Sequence, residues 1–441
     1  MRQGASVALW GSLLLVSYWW ATGGGIQALG SWTAGLTSTG RLSGLLASVL
    51  LLVQVLLMAR VPVLEHAFGQ DRLARIHRLV GFSSFNLMVA HIVLITWGYA
   101  AGSITSTPAT LWDLIINSPG MLLATAGTVC LVMVVVTSVK AARRKIRYES
   151  WHLLHLYAYL GVGLALPHQL WTGQDFLAST ARTVFWWSLW AAAAGAVLIW
   201  RVALPLWRSA RYSLRVTAVV PETGALLSVY MTARRPNEVN AEAGQFFNFR
   251  FLNGRGWTRS HPYSLSAAPD DGRLRITAKV VGDGSSALRE LHPGTRVLIE
   301  GPYGRLSARA RSRRAVAFIG AGVGVTPLRA MAEALPYAPG EAVLLYRYTG
   351  RPLFERELSE LAADRGLQLI WLPGHRRQPG SWLGDGVAEP TDLMALARWV
   401  PDIAQRDVYV CGPEPWAEDV RKTTQAAGLP TDHFHVESFG W

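Results

Sequence analysis

The sequence predicts a multi-domain membrane protein: a six-helix all-α transmembrane bundle, then an antiparallel β-barrel, then an α/β domain built on an open parallel sheet. Three observations carry that prediction. Residues up to about 205 are dominated by apolar runs long enough to span a bilayer. From Arg211 to about Leu306, short alternating runs are separated by Gly, Pro and Asn, as in YSLRVTAVV, ALLSVYMTA, QFFNFRFL, RLRITAKVV and RVLIEG. From Arg314 the pattern becomes strand–helix alternation: AVAFIG, PLRAMAEAL, AVLLYRY, ERELSELAADR, LQLIWLP, DVYVCG and a helix near 414–427.

Composition agrees with this division and narrows the function. The chain has 441 residues, enough for three domains, which we expect over 1–207, 208–308 and 309–441. Charged residues are 16%, against about 25% in soluble domains, and the deficit lies in the first half. Only Cys130 and Cys411 are present, which excludes a disulfide scaffold and any iron–sulfur cluster held by four thiolates. The net charge of +13 does not mark a nucleic-acid partner, because many basic residues flank apolar segments. The expected partner is the lipid bilayer.

Membrane helices are expected over 5–22, 41–59, 76–99, 119–140, 151–170 and 183–204. The stretch Ala5 to Thr22 is long and lacks an Ala-x-Ala-like site after it, so it reads as a helix and not a cleaved signal. Loops after the second and fourth helices carry Arg60, Arg72 and Arg75, then Arg143, Arg144, Lys145 and Arg147. The other loops carry almost none beyond Arg41 and Arg182, both read at helix edges. This asymmetry puts both termini, and the soluble half, in the cytoplasm of a multi-pass plasma (inner) membrane protein.

Four histidines lie inside these helices. His77 and His91 are 14 residues apart on the third, and His155 and His168 are 13 apart on the fifth. At about 1.5 Å per residue each pair spans roughly 20 Å of the bilayer. Both helices run the same way, so His77 faces His155 and His91 faces His168. Two such pairs suit the axial positions of two stacked haems. Buried helix-binding or proton-relay histidines are the alternative, and two pairs at matched depth favour haem. At about 100° per residue, 13 positions miss the starting face by about 140°, so the fifth helix needs a distortion, for which Pro167 is the stated cause.

The soluble half carries six further motifs. HPYSLS (261–266) can stack Tyr263 on an isoalloxazine ring and offer the Ser264 hydroxyl to a ring nitrogen. GDGSS (282–286), with Gly284, Ser285 and Ser286, opens a helix-like SALREL and can present free N–H groups to a pyrophosphate. GAGVGVTP (320–327) follows a strand and leads into a helix, where Gly320, Gly322 and Gly324 allow close approach of a dinucleotide. AVLLYRY ends in Arg347, followed by Arg351 with no acidic residue at the strand tip, which favours NADPH over NADH. VYVCGP (408–413) puts Cys411 where a nicotinamide ring would lie, although hydride transfer needs no thiol. The closing VESFGW offers Phe439, or secondly Trp441, as an aromatic cover for the flavin.

With HPYSLS, LIEGPYG (298–304), GAGVGVTP and CGP in that order, the soluble half resembles the ferredoxin–NADP reductase superfamily. The membrane half resembles the ferric reductase transmembrane domain of NADPH oxidases and ferric reductases, through the histidine spacings and RYES before the fifth helix. The resemblance implies haem ligation by His77, His91, His155 and His168, and flavin binding by Tyr263 and Ser264, with His261 and Pro262 completing the motif. It also implies a pyrophosphate turn at Ser285 and Ser286. For the nicotinamide cofactor it implies a loop of Gly320, Gly322, Gly324, Thr326 and Pro327, and a strand end at Cys411, Gly412 and Pro413. Near the C-terminus it implies an acidic and aromatic pair, Glu437 and Phe439, beyond which Gly440 and Trp441 extend. No DxDxDG loop occurs, so calcium activation through an attached EF-hand is not expected.

The expected activity is electron transfer from cytoplasmic NADPH through FAD and two b-type haems to a small extracytoplasmic acceptor, either oxygen, giving superoxide, or a ferric chelate. The outer loops 23–40, 101–118 and 169–182 hold no His/Cys/Met cluster for a transition metal, which favours oxygen. The alternatives are an electron-donating module for a quinone or periplasmic partner, and a haem-free anchored flavin reductase.

Overall fold

The computed structural model describes residues 2–139, 142, 146, 148–235, 239–254, 259–304 and 306–438. The chain forms two compact units, Met1–Ala203 and Leu204–Trp441.

The first unit is helical. Its long helices are α1 (Arg2–Trp20), α2 (Trp32–Met58), α4 (Gln70–Tyr99), α6 (Met121–Ser138), α7 (Tyr148–Trp171) and α8 (Thr180–Ala196), with the short α3 (Pro62–Phe68) and α5 (Thr107–Asn117) between them. A π-helical stretch, Val197–Ala203, continues α8. Among the described residues, five helical spans are long and apolar enough to cross a membrane: Gln3–Gly25, Trp32–Met58, Arg72–Tyr99, Met121–Ser138 and Thr180–Tyr212. The remaining long helix, α7, has the length but is diluted by His152, His155, Pro167 and His168. Large apolar side chains face outward around the unit, among them Trp10, Leu14, Leu79, Phe82, Val129 and Leu153. Such a surface suits lipid and not water.

Three expectations are corrected. The second helix does not begin at 41 but at Trp32, so the stretch read as an outer loop is helical from there. Its Thr, Ser and Gly residues have weak helix preference, which packing against α4 overrides. Arg41 therefore lies inside α2, and Arg182 in the first turn of α8; each pairs with the buried Asp175, at 2.9 and 2.8 Å. Arg72 and Arg75 belong to α4, because that helix starts at Gln70. The basic run at 143–145 and Arg147 lies outside the described residues.

Glycines set how closely the helices approach. A Cβ at Gly127 of α6 would stand 2.7 Å from the Gly161 carbonyl of α7, and one at Gly161 would stand 2.9 Å from the Gly127 carbonyl. Backbones thus meet directly, as small residues allow in apolar bundles. Helix α7 runs through Pro167 without interruption, and Pro167 withholds one amide from its ladder.

The second unit opens with α9 (Leu204–Tyr212) and two three-stranded antiparallel sheets. One has the order β1 (Arg215–Pro221), β2 (Leu226–Thr232), β5 (Arg273–Lys279); the other β4 (His261–Ser264), β3 (Phe246–Phe251), β6 (Val297–Tyr303). Isolated bridges, Arg215 with Arg296 and Leu265 with Ile276, join them around one core that includes Val229, Phe247, Phe249 and Ile276. Two three-stranded sheets thus share one core. The expected helix SALREL is a single α turn, α10 (Asp283–Ser286), followed by a 3₁₀ turn.

Next comes a five-stranded parallel sheet in the order β11 (Phe434–Ser438), β10 (Asp407–Gly412), β7 (Val316–Ala321), β8 (Ala342–Tyr348), β9 (Gln368–Pro373). Alternate residues serve opposite faces. Phe318, Leu344, Tyr409 and Cys411 join one buried cluster, while Ile319, Val343, Leu345 and Val410 join the other. Both faces are covered by helices α11 (Val325–Ala334), α12 (Glu355–Arg365), α13 (Asp392–Trp399) and α14 (Glu414–Ala426), which explains the continuous apolar runs of these strands.

Strand β11 is tied at its start by Asp407, whose buried carboxylate accepts hydrogen bonds from His433 Nδ1 (2.9 Å), His435 Nε2 (3.2 Å) and the amides of Ser312 and Arg313 (both 2.6 Å). Burial opposes its charge, but these donors outweigh burial and hold the carboxyl below its usual range. A lowered pKa stabilises the fold above the ordinary aspartate value near pH 4, and that contribution is lost as pH falls through the folded value. We expect Asp407→Asn to abolish the part of the acid-induced loss of stability that this site carries. Denaturation midpoints measured between pH 3 and 6 check this.

Candidate functional site

In the first unit, α4 presents His77 and His91, and α7 presents His155 and His168. The rings of His77 and His155 lie with centroids 6.0 Å apart and planes at 62°. A metal ion takes an imidazole nitrogen at about 2 Å, so two rings on opposite sides of one ion have centroids about 6 Å apart. That separation would let the two rings hold one iron between them. His77 Nδ1 donates to the Gln54 carbonyl at 3.3 Å, and His91 Nδ1 to the Gly40 carbonyl at 2.8 Å. Spending Nδ1 in this way fixes the tautomer and leaves the Nε2 lone pair free for a ligand. His155 Nδ1 is 3.3 Å from Ser138 Oγ, which also accepts from Trp151 Nε1 at 3.2 Å. His168 Nδ1 is buried without a hydrogen bond. No group of three or more His, Cys, Asp or Glu able to hold a bare metal ion occurs among the described residues.

Sequence reasoning missed what α2 contributes. A Cβ at Gly44 would stand 2.5 Å from His91 Nδ1, and one at Gly40 would meet Ile95 at 2.9 Å. These glycines make room for α4, and Gly40 also supplies the carbonyl that orients His91. A glycine pair four apart in an apolar helix was the available signal.

In the second unit, β4 carries the flavin motif. Ser264 is buried and paired with Phe246 of β3. Tyr263 stands beside His261 and Phe249, with ring centroids at 6.3 and 6.4 Å, and burial pushes its phenol up to about 12. Pro262 is exposed. The His261 ring lies over Gly284, where a Cβ would come within 2.4 Å of it. The structure thus brings HPYS and the GDGSS turn together. The Ser285 hydroxyl accepts from the amides of Val281 (2.9 Å) and Gly282 (3.1 Å) and donates to the Gly282 carbonyl, so it shapes the turn; Ser286 is exposed.

The GAGVGVTP turn sits at the carboxyl end of β7, beside β10, where the strand order reverses. Ligands bind at such switch points in open α/β sheets. A Cβ at Gly324 would stand 2.2 Å from the Cys411 carbonyl, so only glycine fits. Gly320 pairs with Cys411, and a Cβ at Gly412 would meet Trp416 at 2.7 Å. Thr326 and Pro327 are buried at the start of α11, with Thr326 Oγ1 donating to the Val323 carbonyl at 2.9 Å. Pro413 is exposed. Burial, with Glu437 adding, pushes the Cys411 thiol well up, which keeps it protonated. Glu437 pairs with Cys411 across β10 and β11, and its Oε1 lies 3.2 Å from where a Cβ of Gly304 would be, beside Phe246. Phe246, the partner of Ser264, links the flavin motif to this strand end. Arg347, at the tip of β8, is half-buried; burial and nearby Arg376 lower its pKa against the pull of Asp385. Phe439 and Trp441 lie outside the described residues.

Family models decide the kinship. A ferric reductase-like transmembrane component matches residues 43–166, an FAD-binding domain 215–307 and an oxidoreductase NAD-binding domain 318–422. The chain belongs to the ferric reductase/NADPH oxidase superfamily. Relatives of this superfamily member's soluble half include the ferredoxin–NAD(+) reductase component of the alkene monooxygenase system of Xanthobacter autotrophicus. It is 31% identical over 242 residues, covering 52% of this chain and 70% of the relative. The ferredoxin reductase component of 3-ketosteroid-9-alpha-monooxygenase from Mycolicibacterium smegmatis is 31% identical over 241 residues; the match covers 51% of this chain and 65% of that relative's length. Among solved structures, the flavohem-like FAD/NAD-binding domain of nitric oxide dioxygenase from Vibrio cholerae is 23% identical, with a TM-score of 0.43 over 52% of this chain and 100% of its own. The chain is thus an oxidoreductase with FAD- and NAD-binding domains.

We expect Gly324→Ala to destabilise the second unit by about 2 kcal/mol, because the methyl meets backbone that cannot yield cheaply. Gly322→Ala, which meets no atom within 4 Å but keeps a left-handed φ of 56°, costs about 1 kcal/mol. Thermal denaturation of both variants with FAD present checks the order.

Proposed function

We propose that this protein carries electrons from cytoplasmic NADPH across the plasma (inner) membrane to a small extracytoplasmic acceptor, using FAD and two b-type haems. The observation that carries this reading is the His77–His155 pair at 6.0 Å within a ferric reductase-like component fused to FAD- and NAD-binding domains. When bound, the flavin takes a hydride from the nicotinamide and yields electrons singly, and each haem carries one electron. The working domains are 1–207, 208–308 and 309–441, with α7 counted as the sixth membrane helix.

The chain's own residues supply binding, orientation and exclusion. His77 with His155, and His91 with His168, would hold the two haems, with Gln54 and Gly40 orienting α4's rings. Tyr263 gives the flavin an aromatic face, Ser264 a hydroxyl, and the Gly284 turn under His261 room for a pyrophosphate. Gly320, Gly322 and Gly324 let the nicotinamide cofactor approach β7, and Thr326 and Pro327 start the helix behind it. Cys411, Gly412 and Pro413 border the nicotinamide; the protonated thiol adds no charge there. Glu437 stands beside them as the acidic partner, and Phe439 is the proposed cover of the flavin.

A visible spectrum of the detergent-purified protein, before and after anaerobic NADPH, tests the reading. We expect a Soret band and sharp low-spin b-type bands that grow on reduction. His155→Ala should halve the haem content and lower electron flow to oxygen or a ferric chelate at least a hundredfold, while reduction of a soluble dye persists. A flavin spectrum that bleaches with no haem band would leave a haem-free anchored flavin reductase. Reduction that proceeds only with added quinone would make the protein a quinone-linked donor module.

Nucleotide choice has its own test. Arg347, with Arg351 in the following turn, is the proposed seat of the 2′-phosphate. A charge-assisted pair is worth about 1.5–3 kcal/mol, so Arg347→Ala should raise the KM for NADPH roughly tenfold or more and leave that for NADH unchanged. Steady-state dye reduction with each nucleotide checks this.

A further inference from the structure

A buried polar network joins the flavin-side sheets to the parallel-sheet lobe of the second unit. Its centre is Arg275 of β5, only 6% exposed. Its guanidinium forms a bidentate pair with Glu357 of α12, at 2.8 and 2.9 Å, and stacks over the Phe354 ring at 4.6 Å. Phe354 holds a left-handed backbone, φ 62°, to bring its ring there. Glu357 Oε2 also lies 2.8 Å from Arg329 Nε of α11, and Arg329 pairs in turn with Glu333. Two buried cations and two carboxylates cancel, which is the condition for such a network to be tolerated.

Both arginines grip one atom. The Ser266 carbonyl accepts from Arg275 Nη2 at 2.7 Å and from Arg329 Nη1 at 3.3 Å, and the Ala268 amide donates to Glu333 at 2.6 Å. Ser266 closes the HPYSLS motif, two residues after Ser264. Arg329 lies two residues after Pro327, which closes GAGVGVTP. The same contacts therefore fix the end of the flavin motif to the helix that starts at the nucleotide loop. Behind them a line of buried hydroxyls runs through the first sheet. Arg275 Nε donates to Ser266 Oγ (3.1 Å), Thr277 Oγ1 is 2.8 Å from Ser266 Oγ, Ser228 Oγ is 2.7 Å from Thr277 Oγ1, and Ser228 donates to Glu222 (2.6 Å). Ser266 Oγ accepts from both Arg275 Nε and Thr277 Oγ1, while Ser228 at the far end of the line donates to the Glu222 carboxylate.

We propose that Arg275, Glu357 and Arg329 are positioning residues that hold the HPYSLS segment against α11, and thereby set the approach of nicotinamide to flavin. This rests on the hydride-transfer reading above. They touch neither cofactor in this account; they act through Ser266 and Pro327.

The test uses the full chain in detergent. In flavin-free protein, Glu357→Gln should speed hydrogen–deuterium exchange of residues 262–268 at least tenfold. Glu360→Gln on the same helix removes only an exposed pair with Arg356, and should leave exchange unchanged. In flavin-loaded protein, stopped-flow reduction per bound flavin at saturating NADPH should fall about tenfold in Glu357→Gln, with the nucleotide KM held within twofold. Glu357→Asp should recover part of the rate. Thr277→Val, which keeps the side-chain shape, should give a smaller loss in both readouts. Unchanged exchange and an unchanged per-flavin rate in Glu357→Gln, even with a lower melting temperature, would overturn the positioning role alone. No flavin reduction by NADPH or NADH in the wild-type protein would overturn the hydride-transfer reading itself.

Discussion

An imidazole inside an apolar bundle has one nitrogen too many. If both compete for a proton in hydrocarbon, neither is reliably a ligand; a hydrogen bond from one decides the matter. In this protein the bond comes from main-chain carbonyls of α2 for His77 and His91. A carbonyl inside a helix is already engaged in the ladder, so it takes a second donor only where the neighbour lies very close. At His91, Gly40 and Gly44 of α2 grant that closeness. The close α2–α4 contact and the tautomer of the His91 ring follow from it.

The soluble unit solves a different version of the same problem. A dinucleotide needs close approach to backbone, and the place that offers it is the reversal of strand order between β7 and β10. There Gly324 rests on the Cys411 carbonyl, with no space for a side chain. Steric exclusion here and polar tethering at Ser266 divide the work: one shapes the surface, the other fixes where it stands.

Much of this was legible in the residues. Strand–helix alternation after Arg314 marked β7 to β11 because both faces of a parallel sheet are buried and its strands read as unbroken apolar runs. The motif HPYSLS could be placed on a strand, and GAGVGVTP on a strand-to-helix turn. What stayed hidden depended on tertiary contact. The start of α2 at Trp32 was obscured by Thr, Ser and Gly residues that only packing makes helical. Arg41 looked like a helix edge because its buried partner, Asp175, lies far along the chain. The Arg275–Glu357 pair joins residues 82 positions apart, each ordinary in its own segment. The part the Ser285 hydroxyl plays in shaping its own turn also needed the folded backbone to be seen.

The lengths of α2 and α4 have a mechanical consequence. Their 27 and 30 residues rise about 40 and 45 Å, against a hydrocarbon core of about 30 Å. Two helices packed along their lengths cannot adjust to that mismatch one at a time, so the pair must tilt as a single lever or stand proud of the lipid together. At one end of it Trp32 and Trp97 meet edge to face at 5.5 Å, and Trp97 Nε1 donates to the Gly102 carbonyl. Indoles of this kind settle at headgroup depth. They make the immersion of the lever, and with it the depth of His91, sensitive to bilayer thickness.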